Sequence, residues 1–288
     1  MEKHFLLTIG DDTSSLHAVR FTGHFFANKT TVKVTLLYIA PNPNTGQYST
    51  PASSQEAREN NTLSTIYRQR GKEALARAGE ILIQAGHPPE NISTVLKFRH
   101  FGTVKDIIQE AEIGMYDAII LARRGVSRIE ELIQSSVSKQ MLEEDVATPF
   151  WICREPEMDR KNVLLCVEGS DPALRIADHV GFVLEDQMHE VTVFNVGNES
   201  REEAMKVLQQ AEQALLENNI KKGRITLKTM EAGDVAQAIL DETHRGQYAV
   251  VAVGTAGQAQ GFLNRLRSGS VCGKLVNSIR GAALWVSK

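Results

Sequence analysis

The feature that most limits what this chain can fold into is that it repeats itself. Lys3-His-Phe-Leu-Leu-Thr-Ile-Gly10 lies over Lys161-Asn-Val-Leu-Leu-Cys-Val-Glu168, and at the same offset Leu16 falls on Leu174. Val34-Thr-Leu-Leu-Tyr-Ile39 matches Val191-Thr-Val-Phe-Asn-Val196. Gly114 to Ala122 matches Gly246 to Gly254, and Pro149-Phe-Trp-Ile152 matches Ala283-Leu-Trp-Val286, so the two tryptophans of the chain are equivalent. Collinear matches over both halves imply two homologous domains. The expected boundaries are 1–155 and 160–288, joined through the charged, proline-bearing stretch 154–160.

Each half alternates strand and helix. In the first, strands are expected at 4–9, 32–39, 92–98, 117–122 and 149–153. Helices are expected at 15–27 (with Leu16, Val19 and Phe26 facing inward), 56–86, 102–113 and 136–145. The second half repeats this, with strands near 162–167, 190–196, 224–230, 248–253 and 283–287. Several strands are apolar throughout rather than alternating, which argues for a parallel sheet covered on both faces. The fold class is therefore α/β: two tandem doubly wound domains, each a five-stranded, mainly parallel sheet with helices on both faces. Residues 41–70 form an insert without a counterpart in the second half. Its first part is rich in Pro, Asn, Ser and Thr and reads as an exposed excursion.

A length of 288 residues suits two domains, and 42% hydrophobic residues suffice for their cores. With 32 basic and 35 acidic residues the charge is nearly balanced, which gives no footing for nucleic acid or an anionic membrane. No apolar run approaches the ~20 residues that span a bilayer. The N-terminal apolar run is too short for a signal peptide. Cys153, Cys166 and Cys272 lack metal-site spacing, and the first two lie in apolar strand-like runs, so they read as small buried residues of a reducing compartment. The expectation is a soluble, cytoplasmic protein.

In doubly wound sheets, ligands sit beyond the carboxyl ends of the strands at a topological switch point. Two stretches stand there. Tyr248 to Val271 reads as a buried strand ending in Gly254-x-x-Gly257, a loop, and a helix opening at Gly269-Ser270. Glycines allow close backbone approach, and a helix N-terminus offers free N–H groups to an anion. Tyr116 to Val137 is an altered copy. The turns after the first strands, Gly10-Asp11-Asp12-Thr13-Ser14 and Glu168-Gly169-Ser170-Asp171, place carboxylates at the same edge. There they either receive ribose hydroxyls or an adenine amine, or merely cap the next helix.

On these residues, both halves resemble the universal stress protein family, and the whole chain resembles its tandem-domain members. The resemblance implies the adenine nucleotide alpha-hydrolase-like fold and an ATP site. In that site Gly-x-x-Gly, a loop and Gly-Ser/Thr hold phosphates and ribose, while an Asp after the first strand and an aliphatic residue ending the second strand frame the adenine. Carried onto the second half, the site would comprise Glu168, Gly169, Val196, Gly254, Gly257, Gly269, Ser270 and Val271. Here Glu168 replaces Asp and the loop 258–268 has eleven residues instead of nine. In the first half it would comprise Gly10, Asp11, Ile39, Ala122, Arg124, Gly125, Ser135, Ser136 and Val137. Here two of the three glycines have become Ala122 and Ser135, and Gly10 stands where the Asp belongs. The second half is the better site.

The expected ligand is ATP or another adenine nucleotide, with Mg²⁺ accompanying it, bound without rapid turnover in a stress-response or regulatory role. The alternatives are a scaffold of the same fold whose sites have decayed, with the 41–86 segment as docking element, and an adenylate-using hydrolase. The last wants a Ser-Gly-Gly-x-Asp-Ser type of loop, which Glu168-Gly-Ser-Asp171 does not supply. The Walker-type phosphate loop, the His-x-x-x-His zinc pair and Gly-x-Ser-x-Gly are all absent from the sequence. His87, His100, His179 and His244 read as surface or capping residues. The resemblance also implies that strands 149–153 and 283–287 pair between the two domains, since exposed sheet edges need cover; a homodimer is the further option.

Overall fold

The computed structural model describes residues 1–44, 54–122, 137–144, 146–255 and 271–288. In the first half they form β1 (Lys3–Ile9), α1 (Leu16–Phe25), β2 (Val32–Ala40), α2 (Ser54–Gln84), β3 (Ile92–Phe98), α3 (Thr103–Gly114), β4 (Ala118–Ala122), α4 (Val137–Glu143) and β5 (Phe150–Cys153). The second half follows with β6 (Val163–Cys166), α5 (Asp171–Leu184), β7 (Val191–Val196), α6 (Arg201–Glu217), β8 (Ile225–Met230), α7 (Val235–Arg245), β9 (Val250–Gly254), α8 (Val271–Ser278) and β10 (Ala283–Ser287). All ten strands join one sheet in the order β3-β2-β1-β4-β5-β10-β9-β6-β7-β8. Pairing within each half is parallel. The order reverses between β1 and β4, and again between β6 and β9, giving each half its own switch point.

Strand alternation divides the apolar residues between two cores. Phe5, Leu7 and Ile9 pack on one face under α1 and α2, and this core continues under α5 and α6. Leu6 turns to the other face, where α3, α4, α7 and α8 lie. Helix α1 is shorter than its apolar pattern suggested: a 3-10 turn over Thr13–Ser15 precedes it, and Phe26, fully buried, is its C-cap.

At the middle of the sheet β5 and β10 run antiparallel, with Trp151 opposite Trp285. Both indoles are buried on the α1/α5 face. Phe25 packs edge-on to Trp285, and His189 stacks on Phe25 with ring centroids 4.3 Å apart. The next residue after each central strand reaches across. The Arg154 guanidinium donates to the Asn277 carbonyl at the end of α8 (2.6 Å). At the equivalent position the Lys288 ammonium donates to the Leu142 carbonyl (3.0 Å), and to those of Met141 and Glu144, at the end of α4. Both cations thus meet carbonyls that a helix C-terminus leaves unpaired, where positive charge is favoured.

A polar cluster fastens the amino edge of the seam. The buried Lys3 ammonium donates to Asp186 (2.7 Å), which also accepts from Thr31 and from Gln187. Burial pushes the Asp186 carboxyl up, but these donors outweigh it and hold the group below the usual carboxylate range. The Gln187 side-chain oxygen in turn accepts from the Ala27 and Asn28 amides (2.9 and 3.1 Å).

Candidate functional site

In the second half, β6 ends at Cys166 and the chain turns through Val167, Glu168 and Gly169 into α5. Gly169 has φ +86°, a backbone region that favours glycine. Ser170 is the N-cap: its hydroxyl oxygen accepts from the Ala173 amide (3.3 Å), and the same hydroxyl donates to the Glu168 carboxylate. Cys166 belongs to the core under α7 and α8, and Glu168 follows two residues on, exposed in the turn that leads from the strand to α5. Val196, the last residue of β7, lies in that core with Val253 and with Cys272 of α8, and the exposed Val271 opens α8 next to it. An exposed carboxylate, an aliphatic surface and the start of α8 therefore all lie at the carboxyl end of the β6/β9 switch point.

Gly254 has a different reason to be glycine. A Cβ there would stand 2.4 Å from the Ala173 amide nitrogen and 2.4 Å from the Pro172 carbonyl carbon. The end of β9 thus meets the backbone of the first turn of α5, on the face opposite Val196. Close packing against a helix entry accounts for this glycine without a ligand. Gly257, Gly269 and Ser270 lie outside the described residues, as do Arg124, Gly125, Ser135 and Ser136 of the first half.

The first half is arranged otherwise. The Tyr38 hydroxyl donates to the Asp11 carboxylate (2.5 Å). Burial, and then that carboxylate, push the phenol above its ordinary range. Tyr38 and Ile9 belong to the core under α1 and α2, whereas Ile39 packs toward the opposite core. Asp11 is therefore held on the α2 side, and the structure does not bring it together with Ile39. Gly10 presents no carboxylate in its place. Asp12 rather than Thr13 or Ser14 supplies the cap, accepting from the Ser15 amide at 3.1 Å. Ala122 packs its methyl against the α1/α2 core, and Val137 opens α4 against the other. Of the first-half residues, Ile39 and Val137 share the face on which the second half assembles its candidates.

The family model described as the universal stress protein family matches residues 1–144 and again residues 159–284. The chain belongs to the universal stress protein family. It is similar in structure to a universal stress protein from Archaeoglobus fulgidus, with a TM-score of 0.71, 18% identity, and coverage of 99% of this chain and 98% of that one. A functionally unknown protein from Pseudomonas aeruginosa aligns with a TM-score of 0.54, 13% identity and coverage of 100% and 92%. At such identities the likeness is one of fold. No curated protein matches the chain.

Within this universal stress protein the sequence reading missed Asn195. Its amide donates to the Val167 carbonyl (3.1 Å) and to Glu199 (2.8 Å), tying the chain just before Glu168 to the loop after β7. The available signal was a lone amide in the otherwise apolar run Val193-Phe-Asn-Val196. Two histidines also differ from expectation. His179 and His87 are buried, not superficial. His179 accepts from the Trp151 indole N–H at 3.1 Å, and burial pushes its pKa down to about 3. His87 is pushed down to about 4, again by burial. Among the described residues no group of three His, Cys, Asp or Glu is placed to hold a metal, and no helix is long and apolar enough to cross a membrane. The three cysteines are free and buried, and burial pushes each thiol up.

Proposed function

We propose that this universal stress protein binds an adenine nucleotide such as ATP in its second domain, without rapid turnover, and serves a regulatory role in the cytoplasmic stress response. The observation that carries the reading is that Val196 and Cys272, the second residue of α8, share one core at the β6/β9 switch point, with the exposed Glu168 in the turn just after Cys166 of that core. A planar base packs on an aliphatic surface, a carboxylate accepts from hydroxyl and amine groups, and the N-terminus of α8 favours phosphate modestly, by about 0.3–1 kcal/mol. Mg²⁺ would arrive with the phosphates. The first domain lacks this combination, because Tyr38 takes Asp11 to the other face. The domains are 1–155 and 160–288, and the β5–β10 pair keeps them one body in solution.

The test is to purify the protein, denature it and chromatograph what is released, then titrate the stripped chain with ATP. Adenine nucleotide in the released fraction, with titratable binding that Val196→Asp abolishes, is the expected result. A stripped chain that takes up no nucleotide at millimolar ATP would sink the reading. Hydrolysis at more than a trace rate, lost in Glu168→Ala, would replace it with the hydrolase. The scaffold alternative draws on one observation, the exposed N-terminal half of α2.

A further inference from the structure

Helix α2 is 31 residues long, against 17 for its counterpart α6, and its buried positions begin only at Gly71. Residues 54–70 thus form about 25 Å of helix, at 1.5 Å per residue, with no fully buried side chain. Asn60, Ser64 and Tyr67 are half-buried and continue the inward stripe of Gly71 and Leu75. Leu63 and Ile66 lie to one side of that stripe and are 39% and 41% exposed. Glu59 and Arg70, both exposed, extend the Leu63/Ile66 stripe by one turn at each end.

These four residues are symmetric about the point between Ser64 and Thr65: Leu63 and Ile66 form the inner pair, Glu59 and Arg70 the outer. If a second helix of the same sequence lies antiparallel on this stripe, Leu63 meets the partner's Ile66, and Glu59 meets the partner's Arg70. A parallel pairing would oppose Glu59 to its own copy, and Arg70 to its own copy. The order acid, apolar, apolar, base is thus complementary to itself in one direction only, as an isologous contact requires. We propose that a second copy of this chain docks antiparallel along residues 59–70 of α2. One helix pair is smaller than the roughly 1,200–2,000 Å² of a standard stable interface, so the dimer forms as concentration rises and does not persist on dilution.

Sedimentation equilibrium from about 10 µM to about 1 mM spans the affinities such a contact gives. The wild type should pass from monomer toward dimer across this range. Glu59→Arg alone and Arg70→Glu alone should each weaken the dimer by about tenfold or more, and the chain carrying both should recover it, because the charges again meet opposites. The native cysteines are buried, so introduced thiols report cleanly. A mixture of Leu63→Cys and Ile66→Cys chains should form more disulfide-linked dimer under mild oxidation than either variant alone. All four positions are exposed, and an unchanged melting curve checks that each variant is folded. A wild type that stays monomeric throughout, a double charge swap that fails to restore association, or cross-links dominated by like positions would each overturn the proposal.

Discussion

Trp151 and Trp285 lie directly opposite one another in the antiparallel β5–β10 pair and stack with ring centroids 4.0 Å apart and planes 8° from parallel. They are repeat-equivalent, both fully buried, and the only two tryptophans in the chain. Their hydrogen bonding is not equivalent. The Trp151 N–H donates to His179, whereas the Trp285 N–H has no partner among the described residues.

This asymmetry makes the two Trp→Phe variants unequal. Both lose a similar volume from the same stack. Trp151→Phe also leaves the His179 acceptor unpaired in the core, while Trp285→Phe removes a donor that was already unsatisfied. Leaving one partner orphaned costs about 1–3 kcal/mol, and deleting an orphan does not. Urea unfolding should therefore show Trp151→Phe to be the less stable by about that margin. Equal losses would mean that the His179 contact contributes nothing.

His179 should also set part of the acid sensitivity. Its pKa in the fold is held down to about 3 by burial, against 6.5 for the exposed group. The unfolded chain then binds the extra proton between those values, so stability is fully present above about pH 6.5 and falls as pH drops toward 3. By pH 5 the loss is about 2 kcal/mol from this residue. His179→Phe, the residue that Phe21 provides at the equivalent place in the first half, should be less stable at pH 7.5 yet show a shallower decline to pH 5. Parallel declines for wild type and variant would contradict this assignment.

The repeat and the alternation of strand and helix within each half were legible because apolar runs and their spacing depend on local chain, and burial follows them; the family was legible in the glycine pattern after the fourth strands. What was not legible depends on which face a side chain takes at the end of a strand. Asp11 and Glu168 look interchangeable in sequence, one residue apart in register. Beyond the strands the partners decide: Tyr38 holds Asp11 on the α2 side, whereas Glu168 accepts from Ser170 at the entry to α5. His179 was misread for a similar reason: a histidine on an amphipathic helix resembles a surface residue until the neighbouring half supplies its indole. Residues 54–70 were expected as part of an insert, and the long helix they join begins at Ser54, close to the expected start.

The reciprocal caps predict an effect that crosses the seam. Arg154 belongs to the first half but holds the end of α8, and Lys288 belongs to the second but holds the end of α4. Hydrogen exchange should therefore speed up in α8 for Arg154→Ala and in α4 for Lys288→Ala. A charged hydrogen bond at a helix end gives about 1.5–3 kcal/mol when buried and less when exposed. Exchange that rises only in the half carrying the substitution would remove the cross-seam role.

Gly254 provides the last test, and it separates packing from ligand binding. On the sequence pattern alone, Gly254→Val and Gly269→Val together should remove nucleotide, because each side chain would fill space needed by a phosphate. In the structure even a single methyl would meet the backbone of Pro172 and Ala173 at 2.4 Å. Backbone cannot rotate aside as a side-chain tip can, so α5 must shift away from β9, and overpacking of this kind costs about 1–3 kcal/mol or more. Gly254→Ala should therefore lower the melting temperature of the nucleotide-free protein. Ala122→Gly, at the equivalent position of the first half, removes only a methyl packed against the α1/α2 core and should cost less, about 1 kcal/mol including glycine's backbone entropy. If Gly254→Ala melts like the wild type without nucleotide but fails to bind ATP, the glycine serves the ligand after all.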